Sequence, residues 1–98
     1  MARTPRLTPR FVAKRRALGI TAQSPASLAI SSTISLLCRA DALPTADDKT
    51  LLLDPEPGDG RGVSALVHAR RVRGQSLWIC YRDPGNEVEL VALLSTLP

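Results

Sequence analysis

The chain has 98 residues and a net charge of +4, from 13 lysine and arginine residues against nine acidic ones. A chain of this length forms one domain with a modest core, since it buries only about two-thirds of its unfolded surface. Aromatic residues make up 3% of the chain, too few for a surface of several stacking platforms for single-stranded nucleic acid.

Two helices are predicted in the first half of the chain. Thr8-Pro9 combines a capping hydroxyl with a proline suited to the first helical turn, and Gly19 is a typical stop. A helix is therefore expected from about Pro9 to Leu18. The three cations at positions 14–16 lie near its C-terminal end, where the helix dipole favours positive charge without any ligand.

The second helix has the clearest periodicity. Ser24-Pro25 repeats the start signal, and apolar residues recur at i, i+4, i+7 and i+8 from Ile30. Serines and a threonine occupy its other face and lower its intrinsic propensity, so we expect the helix to depend on packing against a sheet. It should end before Pro44, because a residue that precedes proline avoids helical geometry.

Two segments are predicted to be irregular. Residues 1–8 are expected to be flexible, and residues 44–62 to form a long loop because they combine three prolines with several glycines. The leucine run 51–53 should anchor this loop to the core, either as an irregular segment or as a short strand. The acidic residues of the loop do not follow the spacing of a calcium loop, so we interpret them as solvated charges. They are Asp47, Asp48, Asp54, Glu56 and Asp59.

Three strands are predicted after residue 62. Alternation from Val63 to Arg70 predicts the first, and the stretch from Ser76 to Arg82, apolar on both faces, predicts a central strand. Asp83-Pro84-Gly85-Asn86 predicts a tight turn before a last strand from Glu87 to Leu94. The fold class expected is α+β, a single domain over residues 1–98 with two N-terminal helices packed on a C-terminal three-stranded antiparallel meander.

The sequence argues against metal, cofactor and membrane binding. Cys38 and Cys80 are expected to be buried free thiols, which suits a reducing cytoplasm. Neither forms a zinc-ligand spacing with His68, and no cofactor is predicted. No stretch approaches the roughly 18 apolar residues needed to cross a bilayer. Seven cations precede Asp41, the first acidic residue, which leaves open that residues 1–42 are a removable presequence.

Arginine dominates the positive charge. Guanidinium groups make paired contacts with phosphates, so a polyanionic partner is favoured, although arginine codons enriched in a GC-rich genome are an alternative explanation. The arginines on neighbouring predicted strands are expected to form one nucleic-acid-binding patch or, alternatively, a solvated edge that discourages sheet aggregation. They are Arg70, Arg71, Arg73 and Arg82.

Several segments occur in the order found in one protein family. They are the opening Thr8-Pro9-Arg10-Phe11, the pair Leu43-Pro44 ahead of acidic residues, the basic stretch 71–74, the strand 77–82 that ends in Tyr-Arg, and the last strand 87–92. In these segments, which span nearly the whole chain, the sequence resembles the RelE/YafQ-type bacterial toxins.

The resemblance implies a ribosome-dependent endoribonuclease that cuts messenger RNA and is silenced by a cognate antitoxin protein. By position, Arg71 and Arg73 match basic residues that hold the RNA backbone, and Tyr81 matches a tyrosine that ends the central strand. Cleavage by attack of a 2′-hydroxyl needs a proton acceptor and a group that stabilises the charged phosphate. His68 is the candidate base, so the catalytic residues expected are His68, Arg73 and Tyr81.

The chain also departs from the family pattern. Trp78 and Ile79 stand where many members carry an arginine, and Lys49 and Thr50 stand where YafQ-like members carry an acid and a histidine. Trp78 and Tyr81 are expected in the core on opposite faces of the central strand. The predicted function is a toxin that binds RNA at the ribosome, with messenger RNA cleavage left open. The alternative is a non-enzymatic small basic phage or viral accessory protein acting by protein or nucleic-acid binding.

Overall fold

A computed structural model describes residues 3–54 and 65–97 of the chain. No helix within these ranges is long and apolar enough to cross a membrane. The helices and strands, numbered in chain order, are β1 Thr4–Leu7, α1 Pro9–Ala17, α2 Pro25–Arg39, β2 Lys49–Leu53, β3 Ala65–Arg71, β4 Trp78–Arg82 and β5 Glu87–Leu94.

The strands form one mixed sheet in the order β1-β5-β4-β3-β2. Neighbouring strands from β2 to β5 are antiparallel, whereas β1 runs parallel to β5. The α+β class is confirmed, but the predicted three-stranded meander is wrong because the sheet of the described residues has five strands. The two additional strands fall in the segment 1–8 that was expected to be flexible and in the expected loop 44–62.

Long-range pairing explains both additional strands. β1 is four residues long, contains a proline and is exposed along its whole length. Its sequence therefore lacks the alternation of buried and exposed residues by which a strand is predicted. It is held by its register with β5, in which Thr4 is opposite Glu87 and Leu7 is opposite Leu90. β2 adds to the other edge of the sheet through β3, with Leu51 opposite Val67.

Both helices begin where capping chemistry predicts. The Thr8 hydroxyl accepts a hydrogen bond from the Phe11 amide at 3.3 Å and donates one to the Leu90 carbonyl at 2.8 Å. This second bond ties the start of α1 to the middle of β5. Ser24 caps α2 in the same way, accepting from the Ser27 amide at 3.2 Å.

The sheet has an apolar cluster on each side. On the side packed by the helices, called the helix face, Phe11, Ile30 and Leu37 meet Ile79, Tyr81, Val88 and Leu90. On the other side, called the open face, the buried residues are Leu53, Val67, Ala69, Cys80 and Ala92. Cys38 and Cys80 are buried free thiols, as predicted. Trp78 lies on the open face and Tyr81 on the helix face, which confirms their predicted alternation.

Candidate functional site

Strands β3 and β4 carry most of the residues that the sequence singles out. His68 is opposite Tyr81 and Arg70 is opposite Ile79, so both point to the helix face. Arg71, opposite Trp78, points to the open face. The structure therefore separates Arg70 from Arg71 rather than placing them in a single patch.

A buried carboxylate organises the helix-face residues. The Asp48 side chain has 0% exposed surface, and its Oδ1 accepts a hydrogen bond from Arg70 Nε at 2.5 Å. Its Oδ2 accepts from the Tyr81 hydroxyl and from the Thr45 amide, the latter at 2.9 Å. Arg70 also donates to the Thr45 hydroxyl. The interpretation of Asp48 as a solvated loop charge is wrong, because the loop folds back and buries this carboxylate against β3 and β4.

The network sets the ionisation of its members. Burial alone would raise the pKa of the Asp48 carboxyl, but the hydrogen bonds from Arg70, Tyr81 and Thr45, together with the charge of Arg70, outweigh it and lower that pKa. For Tyr81, burial and the hydrogen bond to Asp48 act in the same direction and raise the pKa of the phenol. Asp48 is therefore ionised at neutral pH and Tyr81 is protonated.

This network makes the stability of the fold sensitive to acid. Because the pKa of Asp48 is lower in the folded chain, its contribution to the free energy of unfolding is complete above the unfolded value of about 3.9 and is lost as the pH falls through the folded value. We expect the urea midpoint to decline below pH ~5, and to decline less steeply in Asp48→Asn. Equal acid slopes in the two proteins would assign the sensitivity to other carboxylates.

His68 is held between two neighbouring side chains. Its Nδ1 lies 3.0 Å from the Thr50 hydroxyl, and its ring centroid is 5.6 Å from that of Tyr81 at a tilt of 52°. It shares an open depression of about 170 Å³ with Leu66, Arg82, Asp83 and Pro84. Small-molecule sites typically have volumes of roughly 300–1,000 Å³. The depression is thus too small for such a ligand, but it leaves room for a phosphate group beside His68 and Arg82.

The three residues predicted to be catalytic are placed differently from one another. His68 and Tyr81 are cross-strand neighbours, whereas Arg73 is exposed in the turn that follows β3. Tyr81 is 0% exposed, its hydroxyl donates to Asp48, and its ring lies beside that of His68. A direct role in catalysis for these residues stays a prediction, and of the three only His68 lies in the depression.

A group of cations surrounds Trp78 on the open face. The Lys49 ammonium lies 5.8 Å from the centre of the Trp78 ring, a cation–π contact worth about 0.5–1 kcal/mol at an exposed site. Arg71 is the cross-strand neighbour of Trp78, and both Lys49 and Arg71 are exposed. No local sequence pattern indicates this group, because Lys49 approaches Trp78 only where β2 and β4 pair with opposite edges of β3.

Ion pairing distinguishes the cations of the sheet. Arg3 pairs with Asp83 at 3.2 Å, and Arg6 pairs with Glu87 at 3.3 Å and with Glu89. Arg70 pairs with Asp48 at 2.5 Å, and Arg82 lies 4.0 Å from Glu89. Within residues 3–54 and 65–97, by contrast, no ion pair involves Lys49, Arg71 or Arg73. These three side chains, called the free cations, are available to an anionic partner.

The arrangement carries two chemical capacities. The free cations can neutralise phosphates, and the depression beside His68 offers an imidazole that can accept a proton. In the described part of the chain, no group of three or more potential ligands could hold a metal ion.

Comparisons of the chain with protein-family models, with curated proteins and with solved structures find no match.

Proposed function

We propose that this protein is a RelE/YafQ-like toxin of a toxin–antitoxin pair that binds RNA at the ribosome. The observation that carries the proposal is the state of Arg71 and Arg73. They are the residues that the resemblance assigns to the RNA backbone. Both are exposed and, among the described residues, neither pairs with a carboxylate.

The contrast with the other two arginines predicted to bind nucleic acid supports this choice. Arg70 was also predicted to bind nucleic acid, but its pairing with a fully buried carboxylate leaves it only 16% exposed. Arg82 is 56% exposed and lies at the limit of an ion pair with Glu89. A carboxylate partner already neutralises the charge of an arginine and occupies part of its guanidinium, so the free cations are the more favourable phosphate ligands.

The proposal includes a cytoplasmic location, where ribosomes are, and a cognate antitoxin as the second partner. A net charge of +4 favours RNA and acidic proteins alike as partners, through long-range attraction. For cleavage of messenger RNA, His68 is the candidate acceptor of the 2′-hydroxyl proton, and Arg82, which lines the same depression, is the candidate cation for the scissile phosphate.

A second candidate function is a non-enzymatic basic protein that acts through RNA or protein contacts alone. The observation that favours it is the separation of His68, on the helix face, from Arg71, on the open face. The two positions are three residues apart along β3, or roughly 10 Å at the usual rise of a strand. A phosphate held by Arg71 therefore does not lie beside the imidazole.

Induced expression in a bacterial host tests the proposal. We expect growth to stop after induction, and the Arg71→Glu/Arg73→Glu variant to relieve the arrest because its reversed charges repel the RNA backbone. The matched control is Lys14→Glu/Arg16→Glu, which makes the same charge change at exposed positions of α1. Its growth arrest should persist. Unimpaired growth with the native chain, or equal relief by both double variants, would contradict the proposal.

The integrity of a reporter messenger RNA separates the two candidate functions. Cleaved message with the native chain and intact message with His68→Ala would identify a ribonuclease, because loss of a general base lowers the rate by about 100- to 10,000-fold. Growth arrest with intact message in both would identify a binding protein that blocks translation without cutting RNA.

A further inference from the structure

We infer that Trp78, Lys49 and Arg71 form a binding site for one nucleotide of single-stranded RNA, with its base packed on the indole ring. The inference rests on the proposed RNA binding and goes further, because it specifies a base contact and identifies an unpaired strand as the ligand. It also corrects the assignment of Trp78 to the core, since its side chain is only partly buried.

The position of Trp78 on the sheet supports a stacking role. The ring packs at the margin of the open-face cluster, where Leu94 is its cross-strand neighbour on β5 and Arg71 its neighbour on β3. The side chain is half-buried against this cluster, so part of the ring system remains accessible. An aromatic ring that projects from a sheet between cations is an arrangement that RNA-binding domains use to stack unpaired bases.

The cations lie where the backbone of a stacked nucleotide would need them. Arg71 is beside the ring on β3, and the Lys49 ammonium is 5.8 Å from the ring centre. A nucleotide within a strand has one phosphate on the 5′ side of its sugar and one on the 3′ side, so one cation can meet each phosphate. Arg73 is exposed in the turn that follows β3, two residues after Arg71, and adds a third positive charge to this part of the surface.

The contact of Lys49 with the ring is compatible with base binding. Lysine carries its charge on a flexible four-carbon stem, and Lys49 has no carboxylate partner in the described ranges that would hold it in place. A base that enters over the indole would displace the ammonium from the ring to the adjoining phosphate. The weaker cation–π contact is then exchanged for aromatic stacking and for a charge-assisted contact.

An unpaired RNA strand fits this group better than an acidic protein segment does. The carboxylates of an acidic segment would pair with the two cations alone and would make no contact with the indole ring. A base has a flat π-face for the ring and a charged backbone for Lys49 and Arg71, so it uses all three side chains. A paired duplex keeps its bases stacked on one another and cannot present a face to Trp78.

The single tryptophan of the chain makes a direct test practical, because intrinsic fluorescence reports on Trp78 alone. The native chain is titrated with an eight-nucleotide oligoadenylate and with an abasic oligoribonucleotide of the same length and charge. Binding of each is measured independently by anisotropy of a terminal label. We expect both to bind, oligoadenylate to quench Trp78 emission saturably, and the abasic strand to leave it nearly unchanged.

Two variants test the same contact through affinity. Trp78→Leu should weaken oligoadenylate binding by about five- to 150-fold, whereas Trp78→Phe, which keeps an aromatic face, should lose less affinity.

The outcomes distinguish this inference from the proposed function. Salt-dependent binding of oligoadenylate without any change in Trp78 emission would overturn the nucleotide site and leave RNA binding intact. Failure of both strands to bind would overturn the inference and the proposed RNA binding together. Stronger quenching by an octaglutamate peptide than by oligoadenylate would also overturn the inference, and would reassign the open face to an acidic protein partner. The quenching comparison uses the native chain, so it remains decisive even where Trp78→Leu does not fold.

Discussion

Replacing Asp48 with alanine is expected to lower the free energy of unfolding by about 3–5 kcal/mol, the typical cost of removing one partner of a buried ion pair. The substitution leaves the Arg70 guanidinium, only 16% exposed, without its carboxylate, and it leaves the buried Tyr81 hydroxyl without its acceptor. Small domains have total stabilities of about 5–15 kcal/mol. The variant should therefore unfold at a much lower urea concentration, measured by Trp78 fluorescence and by circular dichroism.

Asp47 provides the matched control for this experiment. It is the preceding residue, carries the same charge and is exposed, so Asp47→Ala should change stability by no more than about 0.5 kcal/mol. Similar small effects at both positions would mean that Asp48 contributes no more than a solvated loop charge. A large effect at Asp48 alone would establish that the segment between α2 and β2 is fixed to the sheet through its carboxylate.

The parts of the fold that sequence predicts are those with local signals. Both helices start at a capping hydroxyl followed by proline, and β3 to β5 carry alternating or apolar patterns between turn residues. β1 has no comparable signal, because its four exposed residues form a strand only through pairing with β5, about eighty positions further along the chain. Such pairing depends on the tertiary arrangement, and sequence periodicity does not encode it.

The candidate site illustrates the same distinction at the level of side chains. Sequence identified His68 and the arginines by residue type, but not which arginine has a carboxylate partner. Asp48 reaches Arg70 because the loop ahead of β2 folds against β3 and β4, an arrangement that leaves Arg71 free on the other face. The significance of Lys49 and Trp78 likewise depends on a β2–β3–β4 order that composition cannot reveal.

Neutralising Arg71 and Arg73 is expected to reduce both the affinity for single-stranded RNA and its dependence on salt. Each phosphate contact to a single strand contributes about 0.7 to the slope of log K against log salt concentration, because the contact releases condensed counterions. Loss of two contacts in Arg71→Gln/Arg73→Gln should reduce the slope by about 1.4 and the affinity in 0.1 M salt by about 25-fold. Fluorescence anisotropy of a labelled oligoribonucleotide at several salt concentrations measures both quantities.

The slope is the informative quantity, because a general loss of positive charge and a loss of specific contacts alter it differently. Lys14→Gln/Arg16→Gln removes the same two charges at exposed positions of α1, taking the net charge from +4 to +2 in both variants. If RNA is held by the free cations, the α1 variant should keep the native slope and show only a small loss of affinity through weaker long-range attraction. Equal reductions in slope would instead mean that RNA contacts are distributed over the whole basic surface, and the assignment of Arg71 and Arg73 as phosphate ligands would have to be abandoned.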